Sequence, residues 1–198
     1  GCKQKDSTVL ALYPKPLAQF NASTPACDGG SIQFTDQSTV NGQTINQWNW
    51  DFADGNTTAL QSPSHTFSPA ATYSVRLTVQ SNQGCNSDTA VKQVVVHYLP
   101  QPNFILPKVC LADPYAAFFD SSIIADNSSA QFTYAWNFGD PAAGLGNPNT
   151  STQKDPRHSY SSVGIYNVQL TVTSKDGCVN NVTKPFTVNG SLPKAQFT

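Results

Sequence analysis

"QWNWDFADG" (residues 47–55) and "TYAWNFGDP" (residues 133–141) are two copies of one segment. Aromatic residues recur at every second position: Trp48, Trp50 and Phe52 in the first, Tyr134, Trp136 and Phe138 in the second. A period of two places them on one face of a β-strand. Turn-forming residues follow each strand, Asp54-Gly55 and Asp140-Pro141. The match extends outward. "HTF" from His65 aligns with "HSY" from His158, and "ATYSVRLTV" (71–79) aligns with "GIYNVQLTV" (164–172). Tyr73, Val75, Leu77 and Val79 alternate with Ser74, Arg76 and Thr78, again the pattern of a half-buried strand. His65 precedes Cys85 by 20 residues, as His158 precedes Cys178. Trp50 precedes His65 by 15 residues but Trp136 precedes His158 by 22, so the second copy holds a seven-residue insertion within "PAAGLGNPNTSTQKDP" (141–156). Its Gly, Pro and Asn content predicts a longer surface loop.

The first residues extend the repeat. "GCKQKDSTVLALYPKPLAQF" (1–20) parallels 84–104 and 177–197, with a Gly-Cys pair followed 18 or 19 residues after its cysteine by a Phe. Periods of 83 and 93 residues are the size of small domains in an array. The expected organisation is therefore a closing strand of a preceding repeat at 1–16, whole repeats at 17–99 and 100–190, and the start of a following repeat at 191–198. The first residues lack the regions of a signal peptide, which predicts a processed or excised segment of a longer chain.

Composition narrows the function. A net charge of −1 with 12% charged residues is unsuited to nucleic acid, which requires clustered Lys and Arg. It also provides no polybasic patch for an anionic membrane, and no apolar run approaches a membrane span, so direct membrane insertion is not expected. The histidines His65, His97 and His158 show no nucleophile–base spacing, and the chain is not expected to be an enzyme. Several short strands per repeat, separated by turn clusters, predict an all-β chain of tandem immunoglobulin-like antiparallel sandwiches. Trp50 and Trp136 fall where such a fold buries a tryptophan, and Tyr73 and Tyr166 where it places a tyrosine corner. Cys2, Cys27, Cys85, Cys110 and Cys178 are widely spaced with no C-x-x-C pair, which suits disulfides in an oxidising compartment rather than zinc.

"WDFADG", "PSHTF" and "ATYSVRLTV", repeated as "WNFGDP", "PRHSY" and "GIYNVQLTV", resemble the PKD domain. The chain departs from that pattern at Ala53, where the family usually has Gly, and at Asn137 and Pro141, where it usually has Asp and Gly. The cysteine pattern is similar to tandem PKD repeats in large secreted adhesins of gliding bacteria. The resemblance implies an immunoglobulin-like module that is usually a spacer, an adhesion element or a carbohydrate contact. The implied role is a non-catalytic extracellular spacer or adhesion segment of a large cell-surface or filament protein. Its partners would be neighbouring PKD repeats, surface polysaccharide or other filament subunits. The alternative is an accessory polysaccharide-binding array of a secreted hydrolase.

The family topology also bears on the cysteines. It puts Cys27 and Cys110 in the loop after the first strand and Cys85 and Cys178 in the last hairpin, at opposite poles of a sandwich about 20 Å long. A disulfide requires Cα atoms within about 7 Å. That favours an inter-repeat Cys27–Cys178 bond, with the partner of Cys85 in the preceding unit, that of Cys110 in the following one, and Cys2 paired outside the fragment. The other pairing, Cys27–Cys85 with Cys110–Cys178, stays open on sequence. Asp51 and Asp54 are read either as calcium ligands, as in some family members, or as turn-capping carboxylates. No other cofactor is expected. Six N-x-S/T sequons begin at Asn21, Asn56, Asn127, Asn149, Asn181 and Asn189. "DST" and "DTA" resemble a bacterial O-glycosylation acceptor, which would make Ser7 and Thr89 acceptors. Trp48 and Tyr134 are read as core residues or, alternatively, as a sugar-binding face.

Overall fold

The structure is a computed structural model and describes residues 12–190. The chain forms two compact units that divide between Val96 and His97, a few residues ahead of the expected 99/100 boundary.

The first unit has seven strands: β1 (Phe20–Ala22), β2 (Ser31–Asp36), β3 (Ile45–Asp51), β4 (Thr57–Thr58), β5 (Ser64–Thr66), β6 (Thr72–Ser81) and β7 (Ala90–Val95). They form two antiparallel sheets, β1-β2-β5 and β4-β3-β6-β7. Alternation along β6 sends Tyr73, Val75, Leu77 and Val79 inward, and each is buried. Across the layer Ile32 and Phe34 of β2 face them, with Trp50 at the centre. Phe20 meets Trp50 edge-on at 5.0 Å, and Phe34 lies 5.6 Å from Trp50. Such tilted aromatic contacts hold the two sheets in register while burying large apolar areas.

The second unit contains β8 (Phe104–Ile105), β9 (Val109–Cys110), β10 (Ala116–Ala117), β11 (Phe119–Asp120), β12 (Thr133–Asn137), β13 (Thr150–Ser151), β14 (Arg157–His158), β15 (Gly164–Thr173) and β16 (Val179–Asn189). A 3-10 turn at Ser129–Gln131 precedes β12. One sheet is β13-β12-β15-β16-β9. The facing layer consists of two pairs, β8 with β11 and β10 with β14. Buried Phe118 lies between β10 and β11 and donates its N–H to Pro156 O at 3.0 Å, as Phe34 does to Pro63 O at 2.8 Å. The two short pieces thus do the work of β2.

The first strand of this unit also changes sheets. β8 pairs with β11, whereas β9 runs parallel to β16 in the opposite layer. Pro107 separates β8 and β9, and a residue without an N–H interrupts a ladder. The expectation of antiparallel sandwiches did not include this parallel crossing, which carries Cys110 to the far end of β16.

Candidate functional site

The turn after the tryptophan strand has the same hydrogen bonds in both units. Asp51 Oδ1 accepts the Ala53 N–H at 2.9 Å and Asp54 Oδ1 accepts the Asn56 N–H at 3.0 Å. In the second unit Asn137 Oδ1 accepts from Gly139 and Asp140 Oδ1 accepts from Ala142, both at 2.9 Å. Asn137 therefore serves as well as Asp, because an amide oxygen accepts the same bond. Phe52 N–H donates to Asn56 O, and Phe138 N–H donates to Asn149 O, so Asn149 is the counterpart of Asn56. The seven extra residues thus lie between Asp140 and Asn149. Gly55 has φ +91°, a conformation closed to Pro141; the insertion replaces the tight turn in which that glycine is needed.

The remaining carboxylate oxygens meet histidines. Asp54 Oδ2 lies 2.7 Å from His65 Nε2, and Asp140 Oδ2 lies 3.0 Å from His158 Nε2. Each imidazole stacks on the strand-end phenylalanine, His65 on Phe52 at 4.0 Å and His158 on Phe138 at 4.4 Å. The side chains are 16% and 13% exposed for His65 and Asp54, but 1% and 2% for His158 and Asp140. The partner of His65 and of His158 is thus the aspartate of the turn that follows the tryptophan strand. The available signal was an aspartate after the tryptophan strand in both copies, 11 residues before its histidine in the first and 18 in the second. Asp51 Oδ2 lies 3.6 Å from Arg76. This geometry is that of the turn-capping reading of Asp51 and Asp54. Among the described residues no three His, Cys, Asp or Glu side chains gather as a metal cage.

Burial acts to raise the Asp54 pKa, but hydrogen bonds from His65 and Asn56 outweigh it and hold the carboxyl below its usual range. A depressed carboxyl adds stability that is complete above its unfolded value, near 4, and lost as pH falls through the lower folded value. Asp126 behaves alike: Ser128 and Lys175 hydrogen-bond to it and lower it to about 2. Acid is therefore expected to weaken both units below about pH 4. Asp54→Asn should flatten that dependence in the first unit. An unchanged pH profile in this variant would show that the His65 contact does not stabilise the fold.

Four more contacts recur. Tyr73 Oη donates to Pro69 O at 2.7 Å and Tyr166 Oη to Ser162 O at 2.8 Å, the geometry of a tyrosine corner. Trp50 Nε1 donates to Leu60 O and Trp136 Nε1 to Gln153 O, both at 2.9 Å, so each buried indole is satisfied. Half-buried Trp48 donates to Asp36 Oδ2 at 2.8 Å, and Tyr134 donates to Asp120 Oδ2 at 3.1 Å. Burial and the Asp120 charge push the Tyr134 phenol up, so it remains a donor. These anchors turn both rings onto the rim of the core. Finally, Lys92 donates to Phe20 O at 2.8 Å and Lys184 to Phe104 O at 2.6 Å, each ammonium also lying over that phenylalanine ring. The lysines clasp the first strand of each unit to the last. Their spacing from the Gly-Cys pair differs by one residue between repeats, which hid them in the sequence.

Cys27 and Cys178 are each disulfide-bonded, whereas Cys85 and Cys110 carry free thiols. The intra-unit pairing of Cys27 with Cys85 and Cys110 with Cys178 is therefore not formed. The reason is distance. Cys110 is in register with Asn189 at the end of β16, while Cys178 immediately precedes Val179 at its start. Eleven strand residues span about 33 Å, against the ~7 Å limit for a disulfide. In the first unit Cys27 lies by Phe67, since Gly29 N–H donates to Phe67 O and that ring packs on Tyr73 at the start of β6. Cys85 bonds to Ser81 at the other end of β6. Thr89 is exposed beside Asp88. Cys2 and Ser7 lie outside the described residues.

The model of the PKD domain family matches residues 13–96 and 98–189. The chain belongs to the PKD domain family. PKD domains are generally non-catalytic modules of extracellular proteins. The PKD chain is 33% identical over 104 residues to a microbial collagenase of Vibrio alginolyticus. That match takes in 52% of this chain and 12% of the collagenase, so the chain corresponds to a small part of that relative. Among solved structures, the PKD1 domain of the Vibrio cholerae metalloprotease PrtV is 28% identical, with 41% of this chain and 96% of that chain covered and a TM-score of 0.38. The PKD1 domain of Vibrio anguillarum Epp is also 28% identical, covering 41% of this chain and 95% of its own, with a TM-score of 0.37. No helix among the described residues is long and apolar enough to cross a membrane.

The glycine departure at Ala53 has a measurable consequence. Ala53 has φ +61° and its counterpart Gly139 has φ +66°. Left-handed backbone costs an L-residue about 1–2 kcal/mol that glycine avoids. Ala53→Gly is therefore expected to stabilise the first PKD repeat by up to about 1 kcal/mol, after the greater unfolded-state entropy of glycine is subtracted. Urea denaturation checks this; a lower midpoint in the variant would refute it.

Proposed function

We propose that this chain is a spacer or adhesion segment of a large extracellular, cell-surface or filament protein, in which consecutive PKD repeats are joined by a Cys27–Cys178 disulfide. The observation that carries the reading is the distribution of bonded cysteines. Each repeat has one bonded and one free cysteine, the bonded ones at opposite poles of their own sandwiches. Neither can bond within its repeat, and each is the other's natural partner. Linking two repeats in this way restricts motion at the "YLPQP" linker, already stiffened by Pro100 and Pro102. Such a restriction suits a module whose work is spacing. Peptide mapping under non-reducing conditions should recover a Cys27–Cys178 peptide pair; alkylation of both cysteines in the native protein would sink the reading.

A second reading is that the repeats serve as accessory modules of a secreted hydrolase. It is favoured by the identity shared with the Vibrio alginolyticus collagenase. Pull-down on chitin, cellulose, agarose and fibrillar collagen separates the two. Retention on one matrix supports the accessory role, and none on any matrix supports the spacer.

A further inference from the structure

Cys85 and Cys110 are free, yet each stands in the same backbone setting as a cysteine that is bonded. In the hairpin, Ser81 N–H donates to Cys85 O at 2.9 Å, Cys85 N–H to Ser81 Oγ at 3.3 Å, and Gly84 N–H to Ser81 O at 2.9 Å. Around Cys178 the same three bonds involve Ser174 and Gly177, at 2.9, 3.2 and 3.0 Å. In the loop, Gly30 N–H donates to Cys27 O and Asp113 N–H to Cys110 O, both at 2.9 Å. Local conformation therefore does not explain why one member of each kind is bonded and the other is not. Exposure separates only the hairpin pair, Cys178 being fully buried and Cys85 half-exposed; in the loop, bonded Cys27 and free Cys110 are both half-exposed.

The path of the chain shows what each free thiol faces. In the second repeat Asn180 Nδ2 donates to Pro100 O at 3.0 Å, and His97 Nδ1 lies 3.3 Å from Asp176. The incoming segment thus lies against the hairpin that carries Cys178. In the first repeat Lys15 pairs with Asp88 and the Cys85 thiol lies 4.0 Å from Tyr13 O, so the incoming segment again meets the cysteine hairpin. At the outgoing end, Asn189 closes β16 in register with Cys110. Every repeat therefore carries a hairpin cysteine where the chain arrives and a loop cysteine where it leaves.

We propose that Cys85 and Cys110 are the open halves of the junction that Cys27 and Cys178 complete, and that the partner of each is a further PKD repeat. Cys110 takes the hairpin cysteine of a repeat joined after it. Cys85 takes the loop cysteine of a repeat joined before it. The inference rests on the Cys27–Cys178 reading above. In each junction two S–H bonds break and one S–S bond forms. The two protons and two electrons pass to a disulfide oxidant such as oxidised glutathione, which leaves as two thiols.

The test extends the full chain by one repeat. Residues 1–189 are followed directly by a second copy of 98–198, oxidised in a glutathione buffer, alkylated and mapped without reduction. The expected product links Cys110 of the first copy to Cys178 of the second, while Cys85 and the second Cys110 are alkylated. Cys178→Ser in the second copy alone should return the first Cys110 to full alkylation. The upstream extension, residues 1–97 joined ahead of residues 13–198, tests the other half: Cys27 of the added copy should protect Cys85. The inference is overturned if Cys110 and Cys85 stay alkylated in extensions whose added repeat shows a cooperative unfolding transition, or if they bond elsewhere. Should Cys27–Cys178 persist in that case, this inference alone fails; its loss as well would remove the proposed function.

Discussion

Asp140→Ala is expected to destabilise the second repeat by about 3–5 kcal/mol, the cost of breaking a buried pair by deleting one partner. The Asp140 and His158 side chains are almost fully enclosed. His158 Nδ1 is already buried without a hydrogen-bond partner, so removing Asp140 leaves the whole ring unsatisfied in a layer of Phe138 and Tyr160. The same substitution frees the Ala142 N–H and with it the start of the inserted loop. Asp54→Ala removes the same contact in a wetter setting and should cost about 1–2 kcal/mol, because water can replace part of the lost bond. The two repeats thus provide an internal control in which chemistry is held constant and burial varies. Thermal or urea unfolding of the single variants decides the matter. Equal losses in both repeats would show that burial does not set the value of the pair.

The fold was legible because its determinants are local and duplicated. Alternation at Tyr73, Val75, Leu77 and Val79 and the paired tryptophans need no tertiary knowledge, and the second copy removes the ambiguity that short strands leave. What was not legible depends on contacts across the sandwich. The Lys92 and Lys184 clasps join the last strand to the first, and the Asp36 and Asp120 anchors join a strand end to an aromatic of the next strand, 12 and 14 residues on. Neither has a local signature. The crossing of β9 to the sheet of β16 is of the same kind, since Pro107 announces an interruption but not its destination. The cysteines were intermediate. Opposite poles followed from the resemblance to a known topology, whereas the bonded or free state of the four described cysteines came from the structure.

Gly139→Ala should cost the second repeat roughly 3 kcal/mol, through two effects that act together. The first is conformational: φ +66° is a left-handed geometry that costs alanine about 1–2 kcal/mol. The second is steric. A Cβ on Gly139 would lie 2.5 Å from Asn167 O and 3.0 Å from Asn167 N, both backbone atoms of β15. Backbone in the middle of a paired strand cannot rotate aside as a side chain can, so the turn must move, at an overpacking cost of about 1–3 kcal/mol. Moving it also disturbs the Gly139–Asn137 bond and the Asp140 side chain beside it. The first repeat shows that the dihedral alone is tolerable, because Ala53 occupies it at φ +61°. The comparison separates the two effects. Gly139→Ala should lower the unfolding midpoint of the second repeat by more than Ala53→Gly raises that of the first. If the two changes are equal and opposite, the close approach to Asn167 contributes nothing and the glycine is needed for its dihedral alone.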